Sequence, residues 1–359
     1  MMAAQEEFTG TRPVADAHQF DIASLEWYLR ERLPEFHGPL TVEQFKGGQS
    51  NPTYKLMADG HAYVLRRKPP GKLLPSAHAV EREYRVISAL AHTDVPVPQT
   101  YCLCEDAAVI GTPFYVMDFV DGRVLWDPAL PGMTPAERQD VFDDMNRVIA
   151  ALHNVDHVAA GLEDFGKPGN YFARQIDRWS RQYKASETEP IEVMDRLIAW
   201  LPNHIPADAR TCIVHGDYRL DNLVFHPTRS RVSAVLDWEL STLGHPLADF
   251  SYHLMTWRLG GNEFRGLRGA DLTALGIPSE DEYVELYLKR TGATQTPTAS
   301  EWSFYLAYNL FRLAAILQGI MGRAVAGNAA STRALDAGRR ARPIAELGWK
   351  EVEQLSADR

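Results

Sequence analysis

CIVHGDYRLDNLVFHPTRSRVSAVLDWELSTLGHPLADFSY, residues 212–252, is the stretch on which the reading of this chain turns. Short β-branched runs at Ile213–Val214, Leu223–Phe225 and Val232–Leu236 predict strands, and a helix follows the last polar segment. The chemically costly residues gather at the ends of those runs: His215, Asp217, Asp221, Asn222, Asp237 and Glu239. Loops on a rigid sheet are where catalytic groups concentrate. Asp217 and Asn222 lie five apart in a loop entering a strand, and Asp237 follows the next strand. A carboxylate with an amide oxygen suits Mg²⁺, which takes hard oxygen ligands and keeps part of its water. A separate Asp can orient an acceptor hydroxyl and take its proton. Phosphoryl transfer needs those parts. A lone Asp is more often a turn residue or a cap. Three such groups in the order D-x₄-N…D, each at a strand end, argue for chemistry.

Upstream, Asp21 to Leu33 has helical spacing and Pro34 ends it. Leu40–Phe45, Thr53–Met57 and Ala62–Arg67 predict three strands, separated by Gly47-Gly48 and Asp59-Gly60. Asp-Gly between apolar runs is a hairpin signal, so this is an antiparallel meander. A Pro/Gly connector, Lys68 to Pro75, leads to a helix beginning at Ser76, with Val80, Tyr84, Ile87 and Leu90 apolar at helical spacing. Val97–Leu103 and Val109–Phe119 supply two or three more strands before a turn at Asp121-Gly122. Beyond it, helices dominate: Thr134–His153, Tyr171–Ala185, Ile191–Leu201, Glu280–Arg290, Glu301–Gly327 and Ser331–Leu355. The expected class is α+β. Residues 1–120 are expected to hold the β meander with the two helices above, and residues 121–359 a larger, mainly helical part.

At 359 residues, 45% of them hydrophobic and eight of them Trp, the chain can bury a core that suits two lobes. A formal net charge of −10 argues against a nucleic acid as the main partner. Cys102, Cys104 and Cys212 are odd in number and lack zinc spacing, which fits a reducing compartment. MMAAQEEF lacks the basic start and apolar core of a signal peptide, so a cytoplasmic location is expected. No membrane association is expected either. The run Leu306 to Met321 carries Asn309 and Arg312, and reads as a buried amphipathic helix.

His215-Gly216-Asp217-x₄-Asn222 with Leu236-Asp237-Trp238-Glu239 resembles the signature of the aminoglycoside phosphotransferase family, a branch of the protein-kinase-like fold that also holds the choline kinases. The resemblance implies a bilobal fold with a small antiparallel β N-lobe and a larger helical C-lobe. ATP and Mg²⁺ are its cofactors, the ATP bound between the lobes. On these positions it implies Asp217 as catalytic base and Asn222 and Asp237 as Mg²⁺ ligands. Glu239 matches a second acidic position, serving either a structural hydrogen bond or the metal. Arg219 stands where Ser/Thr protein kinases have a phosphate-contacting Lys; an exposed Arg, or a pair with Asp221, is the alternative. His215 reads as a loop anchor, and Asp249 as a cap or a brace for the catalytic loop.

FKGGQSNPTYKL resembles the family's G-x-S-N-x-x-Y turn, which implies Gly48, Ser50 and Asn51 at the phosphates. Arg66 in YVLR takes the place of the usual phosphate-binding Lys; Arg67 and Lys68 are alternatives, although alternation points Arg67 to the other face. The helix partner of Arg66 is expected to be Glu83, with Glu81 as the alternative. Met117 to Val120 would be the hinge, so that Met117 and Phe119 bracket the adenine.

GGQSNPTY, LRRKPPGKLLPSAHAVEREYRV, VIGTPFYVMDFV and LDWELSTLGHPLADF are very similar to kinase-like domains attached to some acyl-CoA dehydrogenases. That implies a small-molecule hydroxyl acceptor, with hydroxyacyl-CoA or a hydroxy acid as the class, and a functional link to such a dehydrogenase. Tyr183, Trp257, Arg258, Tyr305, Tyr308, Arg312 and Arg323 are candidates for the acceptor pocket. Three rivals stand beside this reading: a metal-dependent phosphohydrolase, a nucleotide-binding pseudokinase module and a true aminoglycoside kinase.

Overall fold

A computed structural model describes residues 10–46, 51–71, 78–207, 210–261, 264–327 and 334–357. The strands are β1 Thr11–Arg12, β2 Thr41–Phe45, β3 Thr53–Ala58, β4 His61–Arg67, β5 Thr100–Cys104, β6 Phe114–Asp118, β7 Arg123–Val124, β8 Cys212–Val214, β9 Leu223–Phe225, β10 Val232–Val235 and β11 Thr242–Gly244. The main helices are α1 Ile22–Arg32, α2 Val80–Leu90, α3 Ala107–Ile110, α4 Pro135–His153, α5 Tyr171–Ser186, α6 Glu192–Trp200, α7 Pro246–Arg258, α8 Leu272–Leu275, α9 Glu280–Arg290, α10 Ala299–Val325, α11 Ala334–Gly338 and α12 Ala341–Ala357. They divide into two compact units. The first comprises 1–126, 159–162 and 221–241; the second comprises 127–158, 163–220 and 242–359.

The first unit is built on a six-stranded antiparallel sheet in the order β1-β2-β3-β4-β6-β5. Its register is set by the turn between β3 and β4. Asp59 and Gly60 both have positive φ (48° and 77°), and Ala58 pairs with His61. Two left-handed residues give a turn whose twist matches the flanking strands. One face of the sheet packs under α1, where Leu25, Leu29, Tyr54, Leu56, Leu65, Phe114 and Val116 form a buried cluster. A small sheet, β10-β9-β7, completes the unit and pairs Arg123 with Phe225 and Val124 with Val224. Gly122 makes this approach possible: a Cβ there would sit 2.3 Å from the Phe225 carbonyl oxygen.

The second unit is helical around the β8–β11 pair. Three of its helices start on capping boxes, Thr134–Glu137, Ser279–Glu282 and Thr298–Glu301, which satisfy first-turn N–H groups that the helix itself leaves unbonded. Helix α10 is buried from Phe304 to Ala315, with Leu317 and Gln318 beyond. It is long and apolar enough to cross a membrane by length and composition, and 78% of its most apolar window is buried inside the unit. The one helix expected over Ser331–Leu355 is two among the described residues, α11 and α12. Val109 and Ile110, read as the start of a strand, end α3 instead, because Asp106 caps it and Gly111 at φ 88° closes it.

Candidate active site

In the first unit the site grows from strand alternation. Successive residues of β4 point to opposite faces. Arg67 turns inward, donates to the Ile110 carbonyl at 3.2 Å and lies over the rings of Phe20 and Tyr54. Arg66 faces the other way, towards α2. Its Nε lies 2.7 Å from Glu83 Oε2, and its Nη2 lies 2.9 Å from Asp237 Oδ1 and 3.4 Å from Glu239 Oε2. One guanidinium thus serves three carboxylates, which a point-like ammonium could not do with the same fork. Glu83 is 1% exposed and also accepts from Asn51 Nδ2 at 2.8 Å and Tyr115 Oη at 3.1 Å. Glu81 pairs with Lys68 at 2.9 Å, so the helix partner of Arg66 is Glu83.

The charges follow from this network. Burial opposes the Arg66 charge, but Glu83, Asp237 and Glu239 outweigh it and the group is shifted upward, so it stays cationic. Burial pushes the Glu83 carboxyl up, with Arg66 and the hydrogen bonds from Tyr115 and Asn51 opposing the shift.

Asn222 and Asp237 are brought together by the β9–β10 pair. Leu223 pairs with Val235, and the Leu236 N–H donates to the Asn222 carbonyl at 2.9 Å, so the two residues sit at one end of the ladder. Asp237 has φ 66°, a left-handed conformation that Asp tolerates better than most side chains. Buried Trp238 fixes the following turn by donating Nε1–H to the Val235 carbonyl at 2.9 Å. A carboxylate and a carboxamide at one ladder end are a hard-oxygen donor set that fits Mg²⁺.

Met117 lies on β6, 8% exposed. Phe119 stacks on Phe45 with ring centroids 6.4 Å apart, and its N–H donates to the Ala62 carbonyl at 3.3 Å. Gly48 and Ser50 lie outside the described residues; Asn51 lies within them, on Glu83.

In the second unit the loop after β8 is held by Asp249. Its carboxylate accepts from the N–H groups of His215 (2.7 Å) and Gly216 (2.8 Å), and His153 Nε2 lies 3.2 Å away. Burial opposes its charge, but the His153 and His215 interactions outweigh burial and lower its pKa. The His215 ring accepts from the Asp217 N–H at 3.2 Å. His215 is therefore a loop anchor and Asp249 the brace. Asp217 Oδ1 accepts from Tyr252 Oη at 2.7 Å and lies 2.9 Å from Arg219 Nε. Burial and the Asp217 charge push the Tyr252 phenol up, so it remains a donor.

Sequence reasoning missed Tyr252. It sits three residues after Asp249, and residues three apart share a helix face. The expected acceptor residues do not form one wall. Arg258 pairs with Glu280, Trp257 donates to the Pro278 carbonyl, Tyr305 and Tyr308 are core, Tyr183 binds Glu187 and Arg323 is exposed. A cavity of about 150 Å³ in this unit is lined by other residues, among them Lys167, Tyr171, Arg210, Thr211 and His245.

A family model described as the phosphotransferase enzyme family matches residues 41–285, a span that includes Arg66, Glu83, Asp217, Asn222 and Asp237. The chain belongs to this family. A solved structure from Ralstonia eutropha JMP134, named provisionally as an aminoglycoside phosphotransferase, is 59% identical, with a TM-score of 0.86 over 94% of this chain and 99% of its own. Mouse acyl-CoA dehydrogenase family member 10 is 47% identical over 94% of this chain. The match spans 32% of that protein, and the chain spans under half of the curated relatives it matches. An aminoglycoside phosphotransferase solved as a ternary complex with ADP and hygromycin B shares the fold, at 15% identity and a TM-score of 0.57 over 91% of this chain and 98% of its own.

Proposed function

We propose that the chain is an ATP- and Mg²⁺-dependent kinase that moves the γ-phosphate to a small-molecule hydroxyl, with hydroxyacyl-CoA or hydroxy acids as the acceptor class. The observation that carries this reading is the fork of Arg66 onto Glu83, Asp237 and Glu239. It joins a cationic strand residue, a helix acid and the proposed metal-ligand carboxylate in one network, the parts a phosphoryl-transfer site requires.

In this reading Asn222 and Asp237 hold Mg²⁺, which neutralises phosphate charge. Arg66 binds phosphate oxygens, and Ser50 and Asn51 border them. Met117 and Phe119 flank the base. Asp217 orients the acceptor hydroxyl and receives its proton on a carboxylate oxygen, while Arg219 faces the charge that spreads over the transferred group.

One observation narrows the acceptor. The curated relatives carry acyl-CoA dehydrogenase names, which supports a CoA-linked substrate and a functional link to such an enzyme. A dinuclear phosphohydrolase would need a cluster of His and Asp ligands. Among the described residues no three of His, Cys, Asp or Glu gather as one.

The test is ADP release from ATP–Mg²⁺ across hydroxyacyl-CoAs, free hydroxy acids, choline-like alcohols and aminoglycosides. Asp217→Ala should keep the thermal shift with ATP–Mg²⁺ and lose roughly 10²–10⁴-fold in kcat. Near-normal turnover in that variant would refute the mechanism. A thermal shift with no acceptor-stimulated ADP release would favour the pseudokinase.

A further inference from the structure

Arg312 is a cation buried in the second unit, where burial opposes its charge. It lies in the middle of α10, 5% exposed, between Phe311 and Leu313. Among the described residues no carboxylate lies within ion-pair distance of it. Its charge is held in two other ways. Nη2 donates to the Gly216 carbonyl at 2.5 Å, and the guanidinium lies over two aromatic rings, Tyr252 at 4.8 Å and Trp179 at 5.6 Å. A desolvated cation over ring faces is attracted by the ring quadrupoles, and a guanidinium stacks where an ammonium would not.

Two of these three contacts lead to Asp217. Gly216 precedes it in the chain and has φ 82°, so its carbonyl direction sets where the Asp217 backbone starts. Of the two rings under the guanidinium, that of Tyr252 belongs to the residue that donates to Asp217 Oδ1 at 2.7 Å. Asp249 braces the loop from its N–H side, through His215 and Gly216. Arg312 holds it from the carbonyl side.

We propose that Arg312 is a positioning residue for Asp217, acting through the Gly216 carbonyl and through the ring and hydroxyl of Tyr252. The inference rests on the kinase reading for its effect on rate, but not for its effect on the loop. Tyr252 transmits one arm: its ring seats the cation and its hydroxyl holds the carboxylate. Neither residue touches nucleotide in this reading. Their loss should therefore lower kcat and leave the KM for ATP–Mg²⁺ in place.

The test uses the full chain with ATP–Mg²⁺ and a 4-hydroxyacyl-CoA, together with hydrogen exchange over residues 215–219. Arg312→Met and Tyr252→Phe should each lower kcat about 10- to 100-fold, the range for a hydrogen bond to a charged group, with KM for ATP–Mg²⁺ changed less than about threefold. Arg312→Lys should recover part of the loss, since it keeps a donor without the stacked plane. Arg312→Met should raise exchange at the 215–219 amides at least about tenfold, with the middle of α7 unchanged. Tyr252→Phe keeps the ring that seats the cation and tests the hydroxyl arm alone; where Arg312→Met fails to fold, the exchange and kcat of Arg312→Lys decide the arginine's role. The double variant should lose less than the product of the single losses. Unchanged kcat in both single variants, or a loss confined to KM, would overturn the inference. Unchanged exchange in a folded Arg312→Met would do the same. A wild type that releases no ADP with any acceptor would sink the kinase reading, and the exchange result would still decide the loop-holding role.

Discussion

Replacing Arg66 by Met should expose what the three-carboxylate network contributes to the first unit. The dominant partner is Glu83, whose side chain is 2% exposed; Asp237 and Glu239 are 36% and 28% exposed. Breaking a buried pair by removing one partner costs about 3–5 kcal/mol, while each well-solvated partner adds about 1 kcal/mol or less. Glu83 keeps two donors, Asn51 and Tyr115, which places the loss near the lower end, about 3 kcal/mol. The loss should depend on pH, and its sign is fixed. Burial already raises the Glu83 pKa, and losing Arg66 raises it further. The folded variant then holds a proton that the unfolded chain has released, so its stability falls as pH rises out of the carboxylate range. The deficit against wild type should be small near pH 5 and full at pH 8. Adding Glu83→Gln should restore most of it, because both sides of the pair are then neutral. Urea titrations read by hydrogen exchange across β3 and β4 report on this unit. Equal deficits at the two pH values, or no relief from Glu83→Gln, would refute the reasoning.

His253 is buried, lies 2.9 Å from Tyr283 Oη through Nε2, and is depressed by burial to about 4 from its ordinary 6.5. The unfolded chain takes up that proton first. The stability tied to neutral His253, about 3 kcal/mol, is therefore present above pH 6.5 and lost as pH falls through about 4. Urea midpoints at pH 7.5 and 4.5 should differ less in His253→Gln than in wild type. Gly122→Ala would push a methyl to 2.3 Å from the Phe225 carbonyl and 2.6 Å from Val224 Cγ1, and should cost about 1–3 kcal/mol with faster exchange in β7 and β9.

The α+β class and the helices Asp21–Leu33, Thr134–His153, Tyr171–Ala185 and Glu280–Arg290 were legible because caps and periodicity act locally. The β3–β4 hairpin was legible for the same reason, since Asp59-Gly60 fits few other backbones. The Arg66–Glu83 pair was implied by the family resemblance, with Arg67, Lys68 and Glu81 as alternatives, and the structure selects it. Local rules did not reach the rest. The tyrosine on Asp217 belongs to a helix 35 residues further on. Among the described residues the lining of the second-unit cavity comes from 167, 169–173, 205–207, 210–211 and 243–245, segments that no single period links. Arg312 was visible as an anomaly, a charge on an apolar helix. Its partner, a backbone carbonyl, carries no side-chain signal at all.

The first unit is also discontinuous along the chain, and this orders its assembly in time. Arg66 can meet Glu83 as soon as α2 is made, but Asp237 lies 171 residues beyond Arg66. At cellular synthesis rates that interval is roughly 10–30 s, long compared with the formation of a hairpin or a helix. A chain stopped before residue 221 would lack β9, β10 and two of the three carboxylates, while β7 would have no partner strand. The nascent six-stranded sheet must therefore persist with part of its charge network unmade, and the long loop closes on an arginine already held by one acid.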